Sequence, residues 1–402
     1  MQCIANRIAR LAVTRICFFF NHDQTHQIAH SLPIALQMAR GGMARITLAV
    51  TEDKIEKAVR EMAGADIDRL ELIRLHLRSA SSRLLQRSLE GLVPARKLLV
   101  FRDNLDFFRS FDALVVSEKT SLLLKTRYGL DDLKMIHTRH GAGDRAIGFG
   151  PESARFDLVL VAGPKIARRL VAEAGVDPAR IRIVGYSKFD LCAGNRRDLG
   201  FRDPSRPTVL YNPHPSPKLS SWYTMGQGVL EAFARSDRFN LVFAPHVMMF
   251  ARSWTVTVSP PAVRRMRPPA PHVAEAPNVL VDLGSKSSTD MAYTNMADLY
   301  LGDVSSQIYE FLYRPRPCLF LDANAARWRG NPDYAHWGAG PVIGPGSDII
   351  AAVEQAIAGH GDYLPVQREM LADTFSVTDE PASLRAAKAI AEFLGGAGKD
   401  QG

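Results

Sequence analysis

The chain has 402 residues, of which 46% are hydrophobic and 23% are charged, and it carries a formal charge of +8 at pH 7. This composition is ordinary for a folded globular protein, so it excludes collagen-like, repetitive and broadly disordered chains. The excess of basic residues favours an anionic partner. Because no motif of an RNA- or DNA-binding protein accompanies it, we expect a phosphorylated substrate or an acidic lipid surface and no nucleic acid.

The four cysteines are far apart and lack the spacing of metal ligands or redox pairs, which predicts reduced thiols in a cytoplasmic protein. Arg15 interrupts the apolar run LAVTRICFFF before it reaches the length of a signal-peptide core or a membrane span. We therefore expect neither a cleaved signal nor a transmembrane helix.

In the first half of the chain, short apolar runs alternate with segments of helical spacing. The pattern predicts strands at residues 16–20, 44–50, 96–101, 112–117 and 134–138 and helices at residues 26–40 and 51–63. Residues 156–190 then form nearly a complete strand, helix, strand unit, in which Gly163 and Pro164 end the first strand and Gly175 ends the helix. This alternation is typical of a parallel sheet flanked by helices.

Residues 192–207 lose all periodicity and predict the boundary between two domains. The second half predicts strands at residues 208–212, 240–245, 278–283, 298–303 and 317–322 and helices at residues 225–236 and 305–314. We therefore expect an α/β fold of two doubly wound, Rossmann-like domains, at residues 1–195 and 205–380, followed by a C-terminal helix and tail at residues 381–402. Open sheets of this kind bind ligands at the carboxyl ends of their strands, so the site is expected in a cleft between the domains.

Residues 250–272 interrupt this alternation of predicted strands and helices. They are rich in proline and carry Arg252, Arg264, Arg265 and Arg267. A solvated loop is the slightly favoured interpretation. The alternative is a basic lip that contacts a polyanion or the headgroups of a membrane.

The segment DLYLGDVSSQIYEFLYRPRPCLFLD (residues 298–322) carries the sharpest local signal. A buried strand ends at Asp303, Ser305 and Ser306 stand at the start of a helix, and Glu310 lies on its first turns. A helix start with two hydroxyl groups can bind phosphate, whereas the simpler interpretation is a pair of capping serines with nothing bound. Glu310 is either a surface residue or an acceptor for ribose hydroxyls.

The loop TRHGAGDRAIGF (residues 138–149) follows a predicted strand. Gly141 and Gly143 allow the backbone to approach a ligand, and His140, with Arg145 nearby, has the titration range of a general base. An incidental loop histidine is the competing interpretation.

Two further histidines follow predicted strands of the second half. His246 is expected to donate to a phosphate oxygen, and His214 is a weaker candidate for the same role. For His246, the alternative is a strand-end histidine satisfied within the fold.

Taken together, these segments resemble the CDP-glycerol glycerophosphotransferases of teichoic acid synthesis. The resemblance rests on the order His-Gly-x-Gly-Asp-Arg, on residues 156–190, on His246 and on residues 297–322, and it covers roughly residues 110–360. It implies the GT-B fold, with an N-terminal acceptor domain and a C-terminal nucleotide-donor domain. Its most specific part is Asp-x-Ser-Ser followed by Glu, a version of which related nucleotide-sugar enzymes share.

The resemblance also implies a reaction. His140 deprotonates an acceptor hydroxyl, which attacks the β-phosphorus of CDP-glycerol and expels CMP, while His246 and the helix start at Ser305 and Ser306 hold the pyrophosphate and Glu310 holds the ribose. The other substrate-binding residues on this interpretation are Gly141, Gly143, Arg145, His214 and Asp303. No cofactor is expected, and no metal, because the sequence contains no evident acidic metal cluster.

Two positions depart from the family pattern. Residues 212–215 read Asn-Pro-His-Pro where a turn like Pro-Thr-Trp-Arg is usual, and Arg139 replaces the tryptophan that usually precedes the first His-Gly. These departures bear on the identity of donor and acceptor more than on the fold.

Three other functions remain open. They are a nucleotide-sugar 2-epimerase, a glycosyltransferase of surface polysaccharide synthesis, and an inactive module that only binds an anionic polymer. For the favoured function, the partners are a CDP-linked polyol phosphate, a glycan or glycerophosphate polymer, and an anionic membrane surface that the protein would touch from the cytoplasmic side.

Overall fold

The computed structural model describes residues 14–396, except residues 23, 90–94, 140, 142, 145, 252–253 and 259–260. The chain forms two compact units. Unit 1 consists of Met1–Gly141, Phe149–Leu191 and Phe375–Gly402, and unit 2 consists of Ala142–Gly148 and Cys192–Thr374.

The strands and helices alternate along most of the chain. The strands are β1 (Arg15–Phe20), β2 (Arg45–Val50), β3 (Glu71–Arg74), β4 (Ala113–Val116), β5 (Lys134–His137), β6 (Leu158–Val161), β7 (Ile181–Ile183), β8 (Thr208–Asn212), β9 (Asn240–Phe243), β10 (Trp254–Val258), β11 (Pro261–Arg265), β12 (Val279–Val281), β13 (Leu299–Gly302), β14 (Cys318–Leu321) and β15 (Val342–Ile343). The helices are α1 (Leu32–Arg40), α2 (Asp53–Ala63), α3 (Ala80–Leu89), α4 (Ala95–Asp103), α5 (Leu105–Arg109), α6 (Leu123–Thr126), α7 (Pro164–Ala174), α8 (Ser187–Cys192), α9 (Gln227–Ala234), α10 (Pro271–Ala274), α11 (Ala292–Met296), α12 (Gln307–Phe311), α13 (Ile349–Ala358), α14 (His360–Thr374) and α15 (Ala382–Gly396).

Unit 1 is built on a seven-stranded parallel sheet in the order β3-β2-β1-β4-β5-β6-β7. The unbroken apolar run of β1 shows why helices cover both faces. Ile16, Phe18 and Phe20 belong to one hydrophobic core, and Cys17 and Phe19 belong to the core on the opposite face. Because successive side chains of a strand point to opposite faces, a strand buried on both sides has to be apolar throughout.

Unit 2 is built on a six-stranded parallel sheet in the order β12-β9-β8-β13-β14-β15. In each sheet the chain first adds strands on one side of its first strand and then crosses to the other side, which is the order of a Rossmann fold. The points at which the direction switches lie between β1 and β4 and between β8 and β13. The prediction of an α/β protein with two doubly wound sheets is confirmed.

One strand was predicted where the structure has a helix. Residues 96–101 belong to α4, in which Leu99, Val100 and Phe101 are buried. A short apolar run suits a buried helix as well as a strand, so its periodicity could not distinguish them. The strand that takes its place in the sheet is β3, an edge strand whose side chains are only partly buried and which therefore lacks an apolar run.

The limits of the units differ from the predicted domains in two places. The predicted C-terminal helix belongs to unit 1, where Ala386, Ala387 and Ile390 of α15 are buried in the core that includes α1. Residues 142–148, in contrast, belong to unit 2. A segment joins the unit whose surface it covers, and the linear order of the sequence does not reveal that surface.

Two local predictions also need correction. Residues 250–272, favoured as a solvated loop, contain the antiparallel pair β10 and β11, in which the backbone of Val256 pairs with that of Val263. The helix predicted at residues 305–314 is shorter, because α12 comprises only Gln307–Phe311. The abundance of proline concealed the hairpin, and Pro315 limits how far α12 can continue.

No helix among the described residues combines the length and the apolar composition that crossing a bilayer requires.

Candidate functional site

The carboxyl ends of β8 and β13 lie side by side at the switch point of the unit 2 sheet. The two strands pair up to Asn212 and Gly302. The chain continues from β8 towards His214 and from β13 into Asp303, so two of the residues predicted to bind substrate meet where doubly wound sheets bind their ligands.

Asp303 holds this switch point together from inside, because it is fully buried. Its Oδ1 accepts the backbone N–H groups of His214 at 2.8 Å and Val304 at 2.7 Å, and its Oδ2 accepts the N–H of Ser221 at 2.6 Å and the hydroxyl of Ser221 at 2.9 Å. Burial raises the pKa of Asp303 to about 6, and the surrounding donors oppose a larger rise. The carboxylate therefore fixes the backbone that carries His214.

Asn212 joins three strand ends through its side chain. Its amide group donates to the carbonyl of Ala244 at 2.6 Å, and its amide oxygen accepts the hydroxyl of Ser305 at 2.6 Å. Ser305 is buried, so its hydroxyl proton is directed at Asn212. The predicted phosphate-binding role of Ser305 therefore cannot use this proton and has to rest on the backbone N–H group of the residue.

His214 and His246 form a pair at the ends of β8 and β9, with ring centroids 6.2 Å apart. Nδ1 of His214 accepts the N–H of Ser216 at 3.0 Å, and Nδ1 of His246 accepts the N–H of Met248 at 3.3 Å. A neutral imidazole that accepts at Nδ1 carries its proton on Nε2. Both rings are therefore set as Nε2–H donors, and such donors suit phosphate oxygens.

Ser306 stands exposed at the start of α12, and its side chain makes no capping hydrogen bond. A Cβ atom on Gly143 would lie 3.0 Å from Cβ of Ser306, so glycine at this position allows the loop after β5 to lie directly against the serine. Glu310 lies within α12 and is buried. It is therefore not the exposed helix residue that one of the two sequence interpretations described.

Asp144 anchors the loop after β5 to unit 2. Its Oδ2 accepts the hydroxyl of Tyr309 at 2.5 Å, the N–H of His336 at 3.3 Å and Nδ1 of His336 at 3.0 Å. Nε2 of His336 lies 3.0 Å from the carbonyl oxygen of Asp303. The imidazole ring is therefore held between the carboxylate of Asp144 and the backbone carbonyl of Asp303. This chain of contacts ties the loop to the turn after β13.

His140 and Arg145, the predicted base and its neighbour, lie outside the described residues, and their roles remain predictions. Gly141 has a φ of +76°, in the left-handed region that favours glycine. It belongs to unit 1, whereas Gly143 belongs to unit 2.

Among the residues that the structure describes, no group of histidine, cysteine, aspartate and glutamate side chains could hold a metal ion. The arrangement just described supplies N–H and O–H donors, which suit an anion directly.

Sequence reasoning missed four residues of this arrangement, namely Asn212, Asp144, Tyr309 and His336. The first three stand next to or between predicted site residues, so their proximity was a usable signal. His336 lies in residues 331–340, between β14 and β15, and no periodicity or spacing marked it. Only the folding of that segment onto the turn after β13 reveals its contact with Asp144.

Comparison with known proteins identifies the fold of the chain. No family model and no curated protein sequence matches the chain. Among solved structures, the wall teichoic acid polymerase TagF, as the H444N variant with CDPG, matches with a TM-score of 0.57 at 14% identity, covering 96% of this chain and 89% of TagF. The chain has the GT-B fold.

Two other structures share this fold. A putative UDP-N-acetylglucosamine 2-epimerase from Listeria monocytogenes matches with a TM-score of 0.57 at 16% identity, covering 95% of this chain and 96% of that one. The glycotransferase of kitacinnamycin matches with a TM-score of 0.54 at 16% identity, covering 95% of this chain and 99% of that one. At such identities the likeness concerns the fold alone.

Proposed function

We propose that the protein transfers glycerol phosphate, or a related polyol phosphate, from a CDP-linked donor to a hydroxyl group of a glycan or glycerophosphate polymer. The observation that carries this proposal is the pair His214 and His246 beside the β8–β13 switch point. Two Nε2–H donors 6.2 Å apart between ring centroids suit the oxygens of a diphosphate. The TagF structure with CDPG, which has the same fold, supports a CDP-linked donor.

In the proposed reaction, His140 removes the proton of the acceptor hydroxyl. The oxygen forms a bond to the β-phosphorus, the bond between this phosphorus and the bridging oxygen breaks, and CMP leaves with the electron pair. His246, with His214 beside it, stabilises the charge that develops on the phosphates. Arg145 neutralises further negative charge, and Ser306 and Glu310 contact the nucleotide.

Release of CMP from CDP-glycerol tests this proposal. We expect release that depends on a glycerophosphate oligomer as acceptor, and we expect His140→Ala and His246→Asn each to slow it by about 100-fold or more. His272→Gln is the matched control, since His272 is an exposed unit 2 histidine that contacts Glu231. A folded protein that releases no CMP with any such acceptor would exclude the transferase.

The second candidate is epimerisation of a UDP-sugar at C2, which requires a carboxyl group able to move a proton. Glu118 favours it, because this residue follows β4 at the switch point of unit 1 and burial raises its pKa. Its carboxylate also accepts hydrogen bonds from Thr120 and Ser121, which is a structural role. Incubation with UDP-N-acetylglucosamine and NMR detection of the 2-epimer, abolished in Glu118→Gln, would support this function in place of the first.

Attachment to an anionic membrane surface forms part of the proposed function. The hairpin of β10 and β11 begins at Trp254, which is 55% exposed, and its partner across the ladder is the exposed Arg265. An aromatic ring next to a guanidinium suits the interface of an acidic bilayer. Flotation with vesicles containing phosphatidylglycerol should show binding that salt weakens and that Trp254→Ser together with Arg265→Gln reduces. Equal flotation of the variant and the wild type would exclude this surface.

A further inference from the structure

Unit 1 contains a cavity at the carboxyl edge of its sheet, remote in sequence from the unit 2 switch point. Its wall includes residues that follow three neighbouring strands: Thr138, Arg139 and Gly141 after β5, Ala162 after β6, and Gly185, Tyr186 and Ser187 after β7. His30 and Ile34 close it from the side of α1. The polar groups in this wall are a guanidinium, an imidazole and the hydroxyl groups of Thr138, Tyr186 and Ser187, of which the Thr138 hydroxyl donates to the carbonyl of Val116 at 3.3 Å.

Arg139 is an unusual residue for this place. Its backbone has a φ of +42°, in the left-handed region that non-glycine residues seldom adopt and that costs about 1 kcal/mol or more. Its guanidinium lies over the ring of Phe149 at 4.8 Å, and the guanidinium of Arg169 lies over the same ring at 4.0 Å. Burial and the neighbouring charge of Arg169 lower the pKa of Arg139 to about 10.

Arg139 and Arg169 stack against the same buried ring, and Arg169 also pairs with the carboxylate of Glu173, with its Nε 2.6 Å from Oε1. An anion in the cavity would meet the guanidinium of Arg139, which lines the wall, and charge-assisted hydrogen bonds are strong where water is largely excluded. The left-handed backbone at Arg139 is strain of the kind that clusters at binding sites.

We propose that this cavity binds a single anionic group, a phosphate or a carboxylate, carried by the acceptor, with Arg139 as its main ligand. The proposal rests on the function proposed above, because it names the class of acceptor that this chain takes.

The size of the cavity limits which ligands it can bind. Its volume of about 20 Å³ admits one or two water-sized groups. A space of this size admits one or two oxygens of an anionic group, whereas a sugar ring does not fit. The remainder of the acceptor therefore has to lie outside the cavity.

Calorimetric titration of the full chain with inorganic phosphate and, separately, with acetate tests this site. CMP is included so that it occupies the proposed donor site and keeps the titrated anion out of it. Sodium chloride holds the ionic strength constant. We expect Arg139→Gln to weaken binding of one of the two anions by about tenfold and Arg139→Lys by about threefold, since lysine keeps the charge but loses the planar pair of donors. Arg155→Gln, which removes an exposed arginine of the same unit, should leave binding unchanged.

The anion whose binding depends on Arg139 identifies the class of acceptor. Arg139-dependent binding of phosphate points to a phosphate-bearing acceptor, and Arg139-dependent binding of acetate points to a uronic or other acidic sugar. Equal binding of both anions by the wild type and Arg139→Gln overturns the proposal. If Arg139→Gln does not fold, Ser187→Ala takes its place, with an expected weakening of about threefold, and wild-type affinity then overturns the proposal. No CMP release is measured, so failure here leaves the proposed transferase standing, and failure of the transferase leaves this result unaffected.

Discussion

At the scale of single residues, buried polar side chains set the geometry of the unit 2 switch point. Asp303 accepts hydrogen bonds from His214, Ser221 and Val304, and Asn212 holds the hydroxyl of Ser305. These groups orient the backbone next to the proposed phosphate site. Their loss should therefore affect folding as well as binding.

Asp303→Asn should lower the free energy of unfolding by about 3 kcal/mol at neutral pH. The amide group would turn a donor towards N–H or O–H groups that now face an acceptor in a buried site. Urea denaturation measures the change. Asp237→Asn, at an exposed position of the same unit, should alter stability by less than about 0.5 kcal/mol, and comparable stabilities of the two variants would contradict this role.

Asp282, at the end of β12, should make stability depend on pH in the acid range. Burial alone would raise its pKa, but hydrogen bonds from Ser285, Tyr293 and Gly284 outweigh burial and hold the pKa below the ordinary value of 3.8. The folded protein therefore binds this proton less tightly than the unfolded chain does. The stabilisation is complete above about pH 4 and disappears as the pH falls through the folded pKa.

The comparison of wild type with Asp282→Asn isolates this contribution. We expect the free energy of unfolding of the variant to be about 1 to 2 kcal/mol below that of the wild type at pH 7. This difference should shrink as the pH is lowered from 4 towards 2. Urea denaturation at each pH measures it. A difference that grows on acidification would mean that the carboxylate is not stabilised in the folded state.

At the scale of elements, the returning C-terminal segment shapes the edge of unit 1. Arg385 of α15 donates to the carbonyl and the hydroxyl of Ser376, and it lies against Gly185 in the turn after β7. Ser383 donates its N–H to Asp190 at 2.6 Å, which fastens the start of α15. The turn that borders the proposed anion cavity is thus held by residues almost 200 positions later in the chain.

Gly185→Ala should be one of the more damaging substitutions in unit 1. The residue has a φ of +88°, and an added Cβ would collide with Arg385 and lie 2.9 Å from the carbonyl oxygen of Ser376. We expect a loss of about 3 kcal/mol from strain and overpacking together, measured by chemical denaturation. Gly175→Ala is the matched control, because its φ is +65° and no atom lies within 4 Å of the added Cβ. It should cost only about 1 kcal/mol, and equal losses at the two positions would rule out the collision with Arg385.

At the scale of the whole molecule, each unit is completed by a segment from elsewhere in the sequence. Unit 1 takes Phe375–Gly402 and unit 2 takes Ala142–Gly148. The segment between β5 and β6 therefore contributes residues to both units. Neither unit is a single uninterrupted stretch of chain.

Truncation after Thr374 should prevent unit 1 from folding. It removes Phe375, which packs against Tyr186 and Phe189, together with the apolar face of α15 that covers α1. We expect an insoluble or protease-sensitive product, whereas truncation after Gly396 should give a protein with wild-type thermal stability. Recovery of a cooperatively folded unit 1 from the shorter chain would show that α15 is dispensable.

The sequence by itself determined the α/β class, the two doubly wound sheets and the position of most strands, because a strand buried on both faces must be a short, continuous apolar run. It also indicated the Asp303 to Glu310 segment, since the end of a strand and the start of a helix leave local signals. It did not identify β3, the helical state of residues 96–101 or the hairpin of β10 and β11, for which local patterns are ambiguous.

Only the tertiary structure shows which residues that are distant in the sequence lie together in the fold. The pairing of Asp144 with His336, the seating of α15 on α1, and the cavity around Arg139 each join segments whose own periodicity carries no information about the partner. The physical reason is that helical and strand patterns arise from neighbours in the chain, whereas buried hydrogen bonds and cavities arise from surfaces that meet only after folding.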